Sequence, residues 1–428
     1  MIKSTSEILV CETLPELASS SIPVCESLPE LGATPALDQV VVVTEPSLLE
    51  PYVEEWEVLA TNAVEPNPFY EPWMLIPALR CLAGGRDVRV VLIFEFIAGR
   101  RTLCGVFPIE RFVRYKGLPV TGFRLWQHLF CGLCTPLVRR DRTSQCLDRF
   151  IDWLTSSECS LMEFNFVAGD GPFLQLLANC FQKRGIQSLK SEAFVRACFR
   201  PRDDADAYLR AAVSQPHRKD LRRKTRRLAE IGHLEFETLE SDGDLNRWID
   251  EFLALEGRGW KGDGGAFACN ELDAQYFREI VVGAFEQGKL MMLALRLDKK
   301  AIAMKCNFMT PPGSFAFRIA FDESYSAYSP GVLLELENIR LLHADENVAW
   351  MDSCAIPDHQ MIDRLWPDRR GIVSLLVPTG KRSGELVITG LPFMRMVSRK
   401  LRDIRGFALS VLSSIAGIFE GPKLLQKN

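Results

Sequence analysis

Two rhythms of apolar and polar positions alternate along this chain. Val40 to Val43 is an unbroken valine run that reads as a strand, and Trp56 and Leu59 then mark the inner side of a helix over 48–60. Pro66-Asn67-Pro68 makes a turn before a second helix over 73–82. Strand-like runs at 88–96, 102–113 and 120–130 follow. They lead to a helix over 144–154, a strand over 161–166, a helix over 173–184 and a strand over 186–199.

The second half repeats this order. A basic helix over 217–230 precedes a strand over 234–239. Leu245, Trp248, Phe252 and Leu255 share one face of the next helix, and Tyr276, Phe277, Ile280 and Ala284 one face of the helix after it. Strands at 290–297, 301–309 and 314–321, a helix opening at Pro330, and strands at 348–352 and 371–377 complete the series. Helix, helix, three strands, helix, strand thus occurs twice. Two copies of one α/β unit explain this better than one large sheet, and the meander strands make the sheets mixed, α+β in character.

The expected organisation is a flexible extension over 1–36, a first domain over 37–200, a second over 201–385 and a helical tail over 386–428. The extension holds a short direct repeat, V-C-E-T-L-P-E-L from Val10 and V-C-E-S-L-P-E-L from Val24, too brief to build a solenoid. In the tail, Met394, Val397, Leu401, Ile404, Ala408 and Val411 form an apolar stripe beside Arg395, Arg399, Lys400, Arg402 and Arg405. Such a stripe lies on an anionic membrane surface, or packs on the protein or on a partner of a synthase complex.

Composition narrows the class. The 428 residues are 47% hydrophobic and 25% charged with a net charge of −4, as in a globular protein with no global field for nucleic acid. Thirteen cysteines, among them Cys104, Cys198 and Cys306 in apolar runs, fit a reducing compartment. Cys131-Gly-Leu-Cys134 has CxxC spacing, but no second pair or histidine cluster completes a zinc site, so no metal is expected. The acidic N-terminus lacks an apolar core for a signal peptide, and no stretch has the roughly 18 apolar residues of a membrane span. A cytoplasmic location is the expectation.

The stretch with most chemical content is A-F-D-E-S-Y-S-A-Y-S-P-G-V-L-L, from Ala320. Ser329 suits an N-cap and Pro330 the first helical position, while Gly331 leaves the first turn unshielded. This is either ordinary capping or an anion cradle, since free amides and the positive dipole end face outward. Together with E-G-R-G-W-K-G-D-G-G from Glu256, A-I-A-M-K-C-N-F from Ala301 and M-D-S-C-A-I-P-D-H from Met351, it resembles the GNAT-type domain of the CelD-like acetyltransferase family over about 217–377. The first half, with E-P-N-P-F-Y-E-P-W-M, is similar to that family's N-terminal region.

The resemblance implies tandem GNAT-like acyltransferase domains, similar in fold to Fem-type aminoacyl transferases. It implies an N- or O-acyltransferase that moves an acetyl or acyl group from acyl-CoA to a sugar or amine acceptor, linked to polysaccharide or cell-envelope synthesis. Tyr328, Ser329, Pro330, Gly331 and Val332 would hold acetyl-CoA, the co-substrate. Trp260, Lys261 and Tyr325 would contact the substrate, although a cation ending a helix also suits the dipole alone and loop tyrosines also pack. A general base is sought among Asp352, His359 and Asp322, each of which has a plainer role as a cap or a solvated side chain.

The run His217–Glu230 carries Arg218, Arg222, Arg223, Arg226 and Arg227 around a narrow stripe of Leu221 and Leu228. It is a solvated helix, paired with acidic residues at 203–206, or it binds coenzyme A phosphates, an anionic polysaccharide or tRNA. No aromatic residues interleave with the charges, so single-stranded nucleic acid lacks a stacking platform. Two other functions remain open: a non-catalytic accessory protein of polysaccharide synthesis, and aminoacyl transfer from tRNA.

Overall fold

The valine run is the first strand, β1 (Val40–Val43), of a chain seen here as a computed structural model that describes residues 39–202, 204–259, 265–393 and 396. Next come α1 (Val53–Thr61), α2 (Pro72–Leu82), β2 (Val88–Ile97), β3 (Arg100–Phe112), β4 (Gly122–Leu125), β5 (Leu137–Val138), α3 (Thr143–Ser156), β6 (Leu161–Ala168), α4 (Pro172–Lys183) and β7 (Leu189–Phe199). The second series opens with α5 (Ala205–Ala212) and α6 (Gln215–Ala229). It continues through β8 (Leu234–Thr238), α7 (Leu245–Arg258), α8 (Glu271–Glu286), β9 (Leu290–Leu297), β10 (Lys300–Thr310), β11 (Gly313–Phe321), α9 (Pro330–Ala344), β12 (Trp350–Asp352) and β13 (Asp368–Pro378).

The duplicated order is real, but the two series share one sheet instead of building one each. Its strands run β1-β2-β3-β4-β6-β13-β7-β12-β11-β10-β9-β8, with β5 against β3. Two pairs are parallel, β4 with β6 and β11 with β12, and they hold matching places in the two series. The sheet is mixed, as the meander pattern predicts. At its centre the last strands change places: β7 pairs with β12, and β13 inserts between β6 and β7. The matching helices α2 and α8 also pack together, so closely that a Cβ on Gly283 would stand 3.0 Å from the Trp73 Cβ.

Helical faces follow the sequence closely. Trp56, Leu59, Trp248, Phe252, Leu255, Tyr276, Phe277, Ile280 and Ala284 are all buried. Three expectations need correction. The helix over 48–60 is a 3-10 turn, Pro46–Tyr52, before α1, with Pro51 inside it and unable to donate. The strand over 120–130 shrinks to β4; beyond it Trp126 is buried in a loop, its backbone N–H tied to Pro108 O, while Leu129 is exposed. The helix α5, capped by the Asp204 side chain on Ala207 N–H, was not foreseen. Of the tail, the helix over 382–393 packs Val387, Ile388 and Leu391 against Phe112, Leu161 and Leu376; the stripe from Met394 to Val411 lies outside the described residues. No helix among the described residues is long and apolar enough to cross a membrane.

A buried ion cluster locks the central strands. Asp352 ends β12, fully buried. Its Oδ2 accepts from Arg196 Nη2 of β7 at 2.7 Å and from Arg370 Nη1 of β13 at 3.0 Å. Oδ1 lies 2.6 Å from Arg196 Nε and accepts from Cys354 N–H at 2.9 Å. Burial alone would raise the Asp352 pKa; Arg196 and Arg370 reverse this and hold it below the usual carboxylate range. Removing the carboxylate takes the carboxylate partner of buried Arg196 and leaves Arg370 only Glu65 and Asp170, each 3.9 Å away. Asp352→Ala is therefore expected to lose about 3–5 kcal/mol in urea unfolding; a loss below about 1 kcal/mol would show the cluster to be incidental.

His128, in the loop after β4, is buried against Trp126 and Tyr276, with ring centroids 5.2 and 5.5 Å away. Burial pulls its imidazole from 6.5 down to about 3. The unfolded chain takes up this proton as pH falls through 6.5 while the folded chain resists, so the stability difference shrinks down to about pH 3. Relative to wild type, His128→Gln is expected to show a shallower loss of unfolding free energy between pH 6.5 and 3. Parallel pH profiles of the two proteins would refute the assignment.

Candidate active site

The helix α9 is positioned by polar groups as well as by its leucines. Leu333, Leu334, Ile339 and Leu342 are buried, and Glu335 and Asn338 are fully buried beside them. On β10, Lys305 Nζ meets Glu335 Oε2 at 2.7 Å and Asn307 Nδ2 donates to Asn338 Oδ1 at 2.8 Å. Asn338 Nδ2 in turn donates to Glu335 Oε1 at 2.9 Å. This closed chain sets the rotation of α9 over β10, because any other register would leave a buried charge unpaired.

The N-terminal turn of α9 is thereby held at one place. Ser329 is in the left-handed region (φ 55°) and its side chain does not cap the helix, which corrects the expectation. Its hydroxyl instead accepts from Lys224 Nζ of α6 at 2.9 Å, while its carbonyl takes the N–H groups of Val332 and Leu333. Pro330 has no N–H to offer. The Gly331 amide is left without a hydrogen-bond partner among the described residues.

That turn faces a cavity of about 380 Å³. The cavity exists because a parallel pair comes apart. Pairing of β11 with β12 stops at Phe315 and Asp352, whereas β11 runs on to Phe321. Ile319, Ala320 and Phe321 form one wall, Ser329 to Val332 another, Leu255, Glu256 and Gly259 of α7 and its end a third, and His359 and Met361 a fourth. Glu256 is buried, held by Arg318 Nε at 3.2 Å from its Oε1 and by Phe267 N–H at 2.9 Å from its Oε2. Arg318 lies over the rings of Phe130 and Phe267, 5.4 and 5.0 Å from their centroids. His359 is half-buried, its Nδ1 facing Ile362 N–H at 3.4 Å.

The structure thus brings Ser329, Pro330, Gly331, Val332 and His359 around one cavity. Tyr325 and Tyr328 pack instead against the leucine cluster of α6, β9 and α9. Asp322 caps the following 3-10 turn through Ser324 N–H and Oγ and meets Lys300; these bonds, Ser324 first, lower its pKa. Asp352 is clasped by two arginines. Neither aspartate lines the cavity, and both are poor proton acceptors, so the base is not to be sought in them. Trp260 and Lys261 lie outside the described residues. Among the described residues no group of three or more His, Cys, Asp or Glu is arranged to hold a metal.

Sequence reasoning missed Glu256 and Arg318. The signal was present for Glu256: position 256 falls four after Phe252, on the buried face of α7, where an apolar residue is due.

Comparison with known proteins adds a family match for part of the chain. Residues 215–359 match the family described as "Acetyltransferase (GNAT) domain", a span that runs from α6 to His359. Acyl transfer is accordingly the class of chemistry the chain carries. A search among curated proteins returns no match. Among solved structures, FemX is similar at 10% identity and a TM-score of 0.47, covering 75% of this chain and 96% of that one. The C-terminal domain of a putative lysylphosphatidylglycerol synthetase from Agrobacterium fabrum is similar at 13% and 0.45, covering 79% and 95%. A tandem GNAT protein from the clavulanic acid biosynthesis pathway is similar at 15% and 0.38, covering 80% and 99%.

Proposed function

We propose that the cavity takes the acyl-bearing arm of an acyl-CoA such as acetyl-CoA, and that the chain transfers the acyl group to an amine or hydroxyl acceptor. The observation that carries this reading is the unpaired Gly331 amide at the start of a long helix, facing a cleft opened by a splayed parallel pair. An amide and a dipole end at that position suit a phosphate of the carrier. The apolar walls from Ile319, Phe321 and Val332 suit its extended arm.

In the transfer, the acceptor, as a neutral amine or hydroxyl, attacks the thioester carbonyl, the C–S bond breaks, and the sulfur leaves as a thiolate that takes up a proton from solvent to become the thiol. The acceptor loses one proton. His359 is the cavity-lining group we assign to receive it, and Glu256, with its oxygens pinned by Arg318 and Phe267, is a fixed polar group in the cavity wall. The resemblance to the CelD-like family favours an acceptor of polysaccharide or cell-envelope synthesis.

Two substitutions test this. A Cβ at Gly331 would meet Phe321 and Ile319 at 3.5 and 3.7 Å, ordinary contacts, so Gly331→Asp should fold and place a negative charge against the carrier. Acetyl-CoA binding by calorimetry is expected to vanish while the circular dichroism spectrum is kept; unchanged affinity defeats the reading. His359→Ala is expected to lower kcat by about 10²–10⁴-fold with the KM for acyl-CoA nearly unaltered. Loss confined to KM would instead make His359 a binding group.

A further inference from the structure

Phosphates also favour cations, yet among the described residues no lysine or arginine lines the cleft. The cations lie next door. A groove of about 570 Å³ runs between α5, α6 and α9, with a floor that includes Leu221, Phe236, Leu333 and Leu336. Six cations line it, Arg210, Arg218, Lys219, Arg222, Arg226 and Arg340, against one carboxylate, Asp206. In a chain of net charge −4 this is a strong local excess.

Several of these charges are uncommitted. Arg218 closes the turn between α5 and α6 by donating to the carbonyls of Arg210 at 2.7 Å and Val213 at 2.5 Å. Arg340 pairs with Glu337 at 2.8 Å, and Arg226 stands 3.8 Å from exposed Glu230. Arg210, Lys219 and Arg222 form no ion pair among the described residues, and the pairing expected with 203–206 is not made by Asp204, which caps α5, or by Asp206. Phe236 is 37% exposed on the groove floor, an apolar ring framed by guanidinium groups. That combination suits a ligand with both a flat heterocycle and phosphates.

Groove and cleft share walls. The α9 turn presents Val332 to the cleft and Leu333 to the groove, and Lys224 of α6 grips Ser329 at the cleft's edge. We infer that the groove binds the phosphorylated nucleoside end of the carrier whose acyl arm enters the cleft, an inference that rests on the cleft reading given above. The apolar cleft then serves the thioester arm, and α6 serves the charge.

Calorimetry on the full chain with coenzyme A, 4′-phosphopantetheine and adenosine 3′,5′-bisphosphate separates the two ideas. In Lys219→Glu/Arg222→Glu, both exposed positions, coenzyme A affinity is expected to fall about tenfold or more, from the loss of charge-assisted contacts. Adenosine 3′,5′-bisphosphate binding should be lost and 4′-phosphopantetheine affinity kept. If coenzyme A binds wild type and variant alike, the groove assignment falls while the cleft stands. If wild type binds neither coenzyme A nor 4′-phosphopantetheine, both fall. If the variant loses affinity for tRNA in a low-salt gel shift but not for coenzyme A, the groove belongs to nucleic acid and the inference is overturned.

Discussion

One buried carboxylate governs the shape of this molecule. Asp352 is held by an arginine from each of the exchanged strands, so β12 stays with β7 and β13 at the centre of the sheet. β11 stays with β10 through a long antiparallel ladder. The two strands start side by side and are then drawn toward different partners, and the cleft is the gap that results. Bringing three ionised groups out of water costs several kcal/mol each, which is offset only because every group finds an opposite charge in good geometry. The cluster contributes shape more than net stability.

A second polar chain, Lys305–Glu335–Asn338–Asn307, does the same for α9. An all-leucine interface would have tolerated rotation or a slip of the helix at little cost. With charges buried in it, the interface accepts one register, and the first turn of α9 cannot drift from the cleft. Lys224, reaching from α6 to Ser329, ties the basic helix to that same turn.

Local rules made much of this legible. The faces of α7 and α8 followed from a 3.6-residue period, and the doubled order of elements showed the duplication before any coordinates. Strand exchange was hidden, because alternation of side chains says that a segment is a strand and not which strand lies beside it. Asp352 looked like a turn cap and is one, since Cys354 N–H bonds to it; its real partners sit 156 and 18 residues away, beyond any local signal. The loop after β4 was misread for the opposite reason: Trp126 is buried without belonging to a strand. At the cleft, Gly331 and His359 were readable from composition and context, whereas the withdrawal of Asp322 depended on Ser324 and Lys300 claiming its oxygens.

The exchange of β7 and β13 also sets a condition on how the chain is made. β13 bridges β6 and β7 with ladders on both sides, and it is synthesised only after both of them and after the whole second series up to β12. Until it arrives, the edges of β6 and β7 that it joins are unpaired, and unpaired edges are templates for pairing with other chains. The nascent protein therefore passes through an interval of exposure that ends only when β13 closes the middle of the sheet, and truncations short of Asp368 would prolong that interval indefinitely.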